Sequence, residues 1–453
     1  MMKHKHNLTG LILKINRSMV VGASFVAVIL LGAFLLMLPI THNSNEWLSF
    51  ADALFTATSA TCVVGLAVVD TGTYFNLLGQ LIIIILIQIG GVGVMTLTTM
   101  ILMGMGRSMS LKEKLLLQET MSVDGPAGVI DLAKRMVLYT FCIEMFFGTL
   151  LAVHFYFSAN LGLQGVYFGY WHAVSAFCNA GFDLFGGFQS LTAFRGDYFV
   201  NICIIILITL GGLGFAVEGD ILKKRCWSRL RLHSKVVLSS YCILSLGGAL
   251  IIWIFESYNP LTLGSLPESQ QFLAALFQSV TTRTAGFNTI DISLLNRDTL
   301  LFMMFLMFVG GAPASTAGGI KVTTFAVIIM AAVALLRGKK DVVIFRRRIS
   351  EEIIHKSSGI FILCLLWLGL AFFLILTFDA GKNHFGFIMC ELFSAFGTVG
   401  LGVGITPHWD TASKLVLIIT MFIGRIGILT FIMSFLEKKP SNLKYPMEDM
   451  FIG

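Results

Sequence analysis

Long apolar runs alternate with short ones along this chain, and the short ones are too brief to cross a bilayer. Runs of spanning length cover residues 19–40 and 77–100, with a short segment at 49–58 between them. The same order returns three times: 136–158, 167–181 and 198–221; then 236–256, 270–286 and 299–336; then 357–378, 385–400 and 414–436. A helix needs about 20 apolar residues to cross ~30 Å of hydrocarbon. Each long run therefore predicts a spanning helix and each short one a re-entrant piece. The four units occupy residues 19–110, 132–224, 234–340 and 352–438, flanked by an N-terminus at 1–18 and a tail at 439–453. Uninterrupted apolar runs suit helices, whose backbone groups are satisfied internally, better than the alternating strands of a barrel. The predicted fold class is all-α and polytopic: eight transmembrane helices in four span–pore helix–span repeats around one central pore.

Composition agrees, with 56% hydrophobic and 13% charged residues. Of the 32 Lys and Arg, twenty-five fall at the N-terminus, in the loops between units and in the tail. Those loops hold Arg107, Lys112, Lys114, Lys134 and Arg135, then residues 223–235, then 337–356. Five lie on the opposite side (Arg195, Arg283, Arg297, Lys382 and Lys414), and Lys321 and Arg425 sit inside spans. The positive-inside rule then places both termini in the cytoplasm, with the short segments dipping in from outside. The net charge of +7 follows from that topology and from contact with anionic lipid, so nucleic acid is not needed to explain it. No small-residue cleavage site follows the first apolar run, which reads as a retained helix. The eight cysteines form no C-x-x-C pair. Cys142, Cys203, Cys242 and Cys364 lie in apolar runs and read as small buried hydrophobes.

Each short segment ends in a glycine: Cys62-Val63-Val64-Gly65, Cys178-Asn179-Ala180-Gly181, Arg283-Thr284-Ala285-Gly286 and Gly397-Thr398-Val399-Gly400. The glycines recur at intervals of 116, 105 and 114 residues. A re-entrant helix that ends in an extended, glycine-containing strand can present backbone carbonyls that replace the hydration shell of a cation. Glycine is the residue for it because it reaches backbone conformations that a side chain forbids. Taken singly, each could be a tight turn between helices; four equivalent copies favour a shared filter. The fourth copy continues to Gly402, giving Thr-Val-Gly-Leu-Gly, one residue from a potassium-channel filter. The other three lack that second glycine, which predicts coarser discrimination among cations.

The second spans share a further mark, Gly90-Gly91-Val92-Gly93, Gly211-Gly212-Leu213-Gly214, Gly310-Gly311 and Gly424-Arg425-Ile426-Gly427. In the first two units close helix packing accounts for it. In the third, Gly310-Gly311-Ala312-Pro313-Ala314-Ser315-Thr316-Ala317-Gly318-Gly319 cannot be a regular helix, and the 299–336 run predicts two half-helices joined by a loop under the filter. Arg425 at mid-span must face a bundle interior or a wet cavity. It reads either as a gate with the 310–319 loop, blocking the pore and holding loop carbonyls, or as a structural tie between helices. Lys321 lacks the Walker spacing, so the loop is no phosphate cradle. The nine histidines are scattered, no H-E-x-x-H occurs, and His172 reads as a packing residue, so no enzyme site is legible. A carrier with inverted halves does not fit units that repeat in one orientation.

In combination these features resemble the Ktr/Trk/HKT superfamily of potassium transporters, over almost the whole chain from residue 19 onward. The size and eight-span form look most like its bacterial Ktr-type membrane subunits. The resemblance implies a plasma-membrane potassium uptake protein whose filter is formed by Cys62, Val63, Val64, Gly65, Asn179, Ala180, Gly181, Thr284, Ala285, Gly286, Thr398, Val399 and Gly400. It implies a gate of Gly310, Gly311, Pro313, Ala314, Ser315, Thr316, Gly318, Gly319 and Arg425. It further implies a homodimer on a cytosolic RCK-type ring of nucleotide-binding regulatory subunits; the basic loops and the 440–453 tail are candidate docking surfaces, the loops reading otherwise as a topology signal alone. No covalent cofactor is implied, and nucleotide acts only through the separate subunit. Glycine at Gly65, where sodium-conducting members carry serine, implies potassium, with sodium as a stimulant; a sodium-conducting or weakly selective channel of the same design is the alternative.

Overall fold

The computed structural model describes residues 17–44, 46–94, 96–97, 100, 129–435 and 448. The basic residues Lys3, Lys5, Lys14, Arg107, Lys112 and Lys114, and all but one residue of the tail, lie outside the described residues. The first unit consists of α1 (Arg17–Met37), α2 (Phe50–Thr61) and α3 (Leu77–Val92). The second holds α4 (Val129–Phe157), α5 (Gly162–Phe177), α6 (Tyr198–Leu213) and α7 (Phe215–Lys224). Helices α8 (Leu232–Glu256), α9 (Glu268–Thr281), α10 (Arg297–Phe308) and α11 (Val322–Leu336) make the third. The fourth is α12 (Glu351–Asp379), α13 (Phe385–Gly397), α14 (Thr411–Ile426) and α15 (Ile428–Phe435). A two-residue hairpin, Val343–Ile344 against Arg347–Arg348, lies between the third and fourth units.

Four helices, α1, α4, α8 and α12, are long and apolar enough to cross a bilayer. Their outward faces carry exposed Leu31, Phe34, Phe146, Leu366 and Phe373, the apolar surface that lipid, not water, accommodates. The short helices α2, α5, α9 and α13 are buried inside them. Their inward residues include Thr56, Thr58, Ser59, Ser175, Ser279 and Ser394, so the interior is more polar than the rim. Side-chain caps start three of the second helices: Asn76 accepts from Leu78 N and Gly79 N, Asp197 from Phe199 N and Val200 N, and Asp410 from Ser413 N. Each such cap contributes about 1 kcal/mol by satisfying first-turn donors. Lys414 at the head of α14 pairs with Asp52 on α2 at 2.7 Å, joining the fourth unit to the first.

The second spans depart from expectation. Unbroken spanning helices are predicted over 77–100, 198–221 and 414–436, but the first two stop one residue after their glycine pair and the third after Gly424-Arg425-Ile426. Gly93, Gly214 and Gly427 hold φ of 95°, 83° and 90° with ψ of 128°, 138° and 134°, a region open essentially to glycine alone. The chain then turns by 98° between α6 and α7 and by 101° between α14 and α15. Counting each bent pair as one span gives six crossings by length and composition among the described residues; α3 and α11 are shorter. The third unit breaks earlier, at residues 309–321, as its Pro and glycines predict.

The break gives a stability test. At Gly214 an added Cβ would sit 2.8 Å from Pro313 O, at a φ that side chains avoid. Gly214→Ala is expected to destabilise the protein by about 1–3 kcal/mol, read as a lower thermal midpoint in detergent. Gly247, on α8 with open space around it, supplies the control: Gly247→Ala should leave the midpoint unchanged or raise it.

Candidate functional site

The four short helices end on one ring of backbone. A Cβ built at Gly65 would lie 2.5 Å from Ala180 O, one at Gly181 2.8 Å from Ala285 O, and one at Gly286 2.5 Å from Val399 O. One at Gly400 meets Val64 O, which closes the circle. Each glycine thus abuts the carbonyl preceding the next unit's glycine, in the order first, second, third, fourth and back to first. At each of the four an added Cβ would force the neighbouring strand to shift, quite apart from backbone conformation.

The conformation repeats as well. Gly65, Gly181, Gly286 and Gly400 all have positive φ, and so do the residues two before them: Val63, Asn179, Thr284 and Thr398 at 57°, 60°, 67° and 52°. Between them, Val64, Ala180, Ala285 and Val399 are not left-handed. Alternating the sign of φ turns successive carbonyls toward the same side of a strand, where in an ordinary strand they alternate. Non-glycine residues at positive φ are strained by about 1–3 kcal/mol each, so a fourfold recurrence must be held by its surroundings. Pore-helix hydroxyls help: Gly65 N donates to Ser59 Oγ at 3.1 Å and Gly400 N to Ser394 Oγ at 3.0 Å. In the other two units Ser175 Oγ donates to Phe182 O at 2.8 Å and Thr281 Oγ1 to Phe287 O at 2.6 Å. Cys62 is the C-cap of α2, one step outside the alternating segment.

On one side of the ring opens a cavity of about 300 Å³, lined by all four glycines together with Asp70, Asp183, Glu391 and Thr406. Carboxylates there favour cations at the mouth. On the other side lies the 309–321 loop. A Cβ at Gly318 would strike the Thr398 side chain, so the loop touches the inner end of the fourth unit's strand. Its backbone is tied to two second helices: Ala312 N and Thr316 N donate to Gly212 O and Gly211 O of α6 at 3.1 and 3.2 Å, and Gly319 N to Gly424 O of α14 at 3.1 Å. The loop closes on itself where Gly310 N meets Ile320 O at 2.8 Å and Val322 N meets Gly311 O at 3.0 Å. Arg425 donates from Nη1 to Thr316 O and from Nη2 to Gly90 O, bridging the loop to the first unit. Lys321 Nζ donates to Ala317 O at 2.6 Å, a second cation spent on loop carbonyls.

The four glycine strands, the 309–321 loop and Arg425 are thus neighbours in space. Pro313 and Ala314 reach the second unit, where Phe215 N donates to Ala314 O at 3.3 Å; Ser315 Oγ turns back to Ala312 O at 2.6 Å. The glycine pairs make close contacts: Gly90, Gly211 and Gly424 pack on the terminal carbonyls of the short helices, at Thr61, Phe177 and Phe396. Gly402, the second glycine of the fourth motif, has no positive φ.

One of the charges counted on the opposite side is buried. Arg283, expected among the outward segments, is buried with 1% exposure, and its Nη1 donates to Leu306 O at 3.2 Å. Leu306 O also accepts from Val309 N, so Arg283 caps the end of α10 where the loop begins. Its Nε and Nη2 meet no acceptor among the described residues. Counting charges by segment could not find this, because the rule weighs loops and Arg283 follows the last turn of a short helix. His172 packs as expected: its Nδ1 lies 2.7 Å from Phe168 O.

Comparisons with known proteins fit this geometry. The family described as "TrkH: Cation transport protein" matches residues 3–445. The Ktr system potassium uptake protein B of Bacillus subtilis is 44% identical over 96% of this chain and 96% of its own. That of Vibrio alginolyticus is 39% identical over 95% of this chain and 93% of its own. The potassium/sodium uptake protein NtpJ of Enterococcus hirae is 37% identical, covering 96% of both chains. The crystal structure of the potassium transporter TrkH from Vibrio parahaemolyticus superposes with a TM-score of 0.73 at 17% identity, covering 93% of this chain and 85% of that one, a likeness of fold. With four glycine-ended re-entrant helices closing one ring, and a family match that runs nearly end to end, the chain belongs to the TrkH family of cation transport proteins.

Proposed function

We propose that this protein takes up potassium across a bacterial plasma membrane, as the translocating subunit of a Ktr-type system. Ions pass singly through the backbone ring of Val63–Gly65, Asn179–Gly181, Thr284–Gly286 and Thr398–Gly400, whose carbonyls stand in for water of hydration. The observation that carries this reading is the closed ring of four glycines, each pressed against its neighbour's carbonyl. The loop at 310–319 and Arg425 form the gate beneath it. Eight crossings with both termini inside, a homodimer, and a nucleotide-binding RCK-type regulatory ring complete the arrangement, with nucleotide acting through that separate subunit. Relatives named as potassium uptake proteins support the cation. Sodium as stimulant, or as a second conducted ion, is favoured by one feature: only the fourth strand has the second glycine of a potassium-channel filter.

The test is growth of a potassium-uptake-deficient bacterium at low potassium, with the chain expressed with and without a regulatory subunit, alongside radioactive rubidium uptake. Restored growth and rubidium uptake, both strongest with the subunit, are expected. Verified expression without rescue in either condition would count against uptake.

A further inference from the structure

Nine residues before each ring glycine, the short helices carry four different side chains: Thr56, His172, Phe277 and Glu391. Two of them reach past the ring and hold the strand on its outer side. Glu391 Oε1 accepts from Val403 N at 3.1 Å, and its Oε2 accepts from Thr406 Oγ1 at 2.8 Å. His172 Nε2 accepts from Leu184 N at 3.4 Å. Val403 and Leu184 occupy the same register, three residues beyond Gly400 and Gly181. His172 and Glu391 are both fully buried. Thr56 instead returns its hydroxyl to Asp52 O at 2.9 Å, and Phe277 has no group to offer. Because the ring runs in unit order, the second and fourth units face each other diagonally.

We propose that Glu391 and His172 are positioning residues that staple the outer mouth of the ring in two opposed units, a tie that the first and third units lack at the equivalent position. The proposal rests on the transport reading above and names what sets its ion preference. Glu391 is the stronger staple, with both oxygens engaged at 3.1 and 2.8 Å against the single 3.4 Å contact of His172. It also explains Gly402. A Cβ there would sit 3.0 Å from Glu391 Oε1, so the second glycine of Thr-Val-Gly-Leu-Gly makes room for the staple, with no need for a left-handed backbone. Glu391 and Thr406 both line the outer cavity, so loosening them alters the site where an incoming ion sheds water.

The full-length chain is reconstituted in liposomes and rubidium uptake measured against concentration, with sodium as competitor. Glu391→Ala is expected to raise the half-saturating rubidium concentration about tenfold and to narrow the rubidium-over-sodium preference, with the maximal rate within about twofold. Glu391→Gln keeps one acceptor and falls between; it also serves if the alanine variant fails to fold. Thr56→Ala should shift neither quantity. Unchanged affinity and preference in both Glu391 variants overturn the proposal, as does an equal shift in Thr56→Ala, which would make the effect general to these helices. Hydrogen exchange of the same proteins gives a readout that needs no transport. Faster exchange over 401–408 in Glu391→Ala, and over 182–188 in His172→Ala, supports the staples, and unchanged exchange overturns them. A wild-type chain that carries no rubidium refutes the transport reading alone, since the exchange result still decides the staples.

Discussion

Arg425→Ala is expected to raise resting rubidium flux at least tenfold, because it removes two charged hydrogen bonds of about 1.5–3 kcal/mol each from the closed loop. The guanidinium bridges Thr316 O in the loop and Gly90 O in the first unit. Those acceptors lie on separate elements, so losing Arg425 frees the loop from one flank of the pore. A cation at mid-span also opposes the passage of other cations, and its removal lowers that barrier in the same direction. The other backbone ties, to Gly211 O, Gly212 O and Gly424 O and from Phe215 N to Ala314 O, are neutral bonds of about 1 kcal/mol each. Arg425→Lys can reach one carbonyl but not both with its single ammonium, so it should fall between alanine and wild type. Shortening the loop across 314–317 should match or exceed the alanine effect, since it removes Thr316 and the segment docked on the second unit. Rubidium uptake in liposomes without a regulatory subunit measures all three. Unchanged flux in both Arg425→Ala and the shortened loop would assign Arg425 to a structural tie.

The repeating plan was legible because it rests on two rules that need no tertiary information. Apolar length decides what can cross a bilayer, and a glycine after a run too short to cross recurs four times. Gly310–Gly319 was legible for the same reason, since Pro313 within an apolar run has no helical explanation. The breaks at Gly93, Gly214 and Gly427 were not. In G-x-x-G the first glycine packs on the short helix and the last turns the chain, and spacing alone cannot separate those two uses. The burial of Arg283 was not legible, because counting charges by segment assigns a side of the membrane and not a depth, and the carbonyl end of α10 that receives it is distant in sequence. Glu391 was invisible as a lone carboxylate in an apolar helix; its acceptor role depends on how the chain folds back after Gly400. The cyclic order of the units is likewise a property of packing, and the tail, a candidate docking surface, falls almost wholly outside the described residues.

Within that order the four glycines differ in their further contacts and so in how they respond to substitution. Gly65→Ser should abolish potassium and rubidium selectivity while leaving sodium flux, and Gly286→Ala should reduce transport of both. At Gly65 the φ is 99° and a Cβ would press on Ala180 O at 2.5 Å. The added atom displaces the carbonyl of the second unit, and the serine hydroxyl offers a ligand in its place. A carbonyl position exchanged for a hydroxyl weakens the field that favours the larger, more easily dehydrated ion. At Gly286 a Cβ meets Val399 O at 2.5 Å and Gly181 Cα at 2.9 Å, so alanine pushes on two neighbouring strands and supplies no replacement ligand. A side chain forced into the left-handed region adds about 1–2 kcal/mol of strain, against a ring already strained at Val63, Asn179, Thr284 and Thr398. Loss of rubidium uptake by about a hundredfold or more is therefore expected at Gly286, as for a shift of ~3 kcal/mol or more in the ring. Rubidium and sodium uptake by each variant, at matched protein in the membrane, separates the two outcomes. Retained rubidium preference in Gly65→Ser together with near-normal uptake in Gly286→Ala would mean that ions pass elsewhere than through this ring.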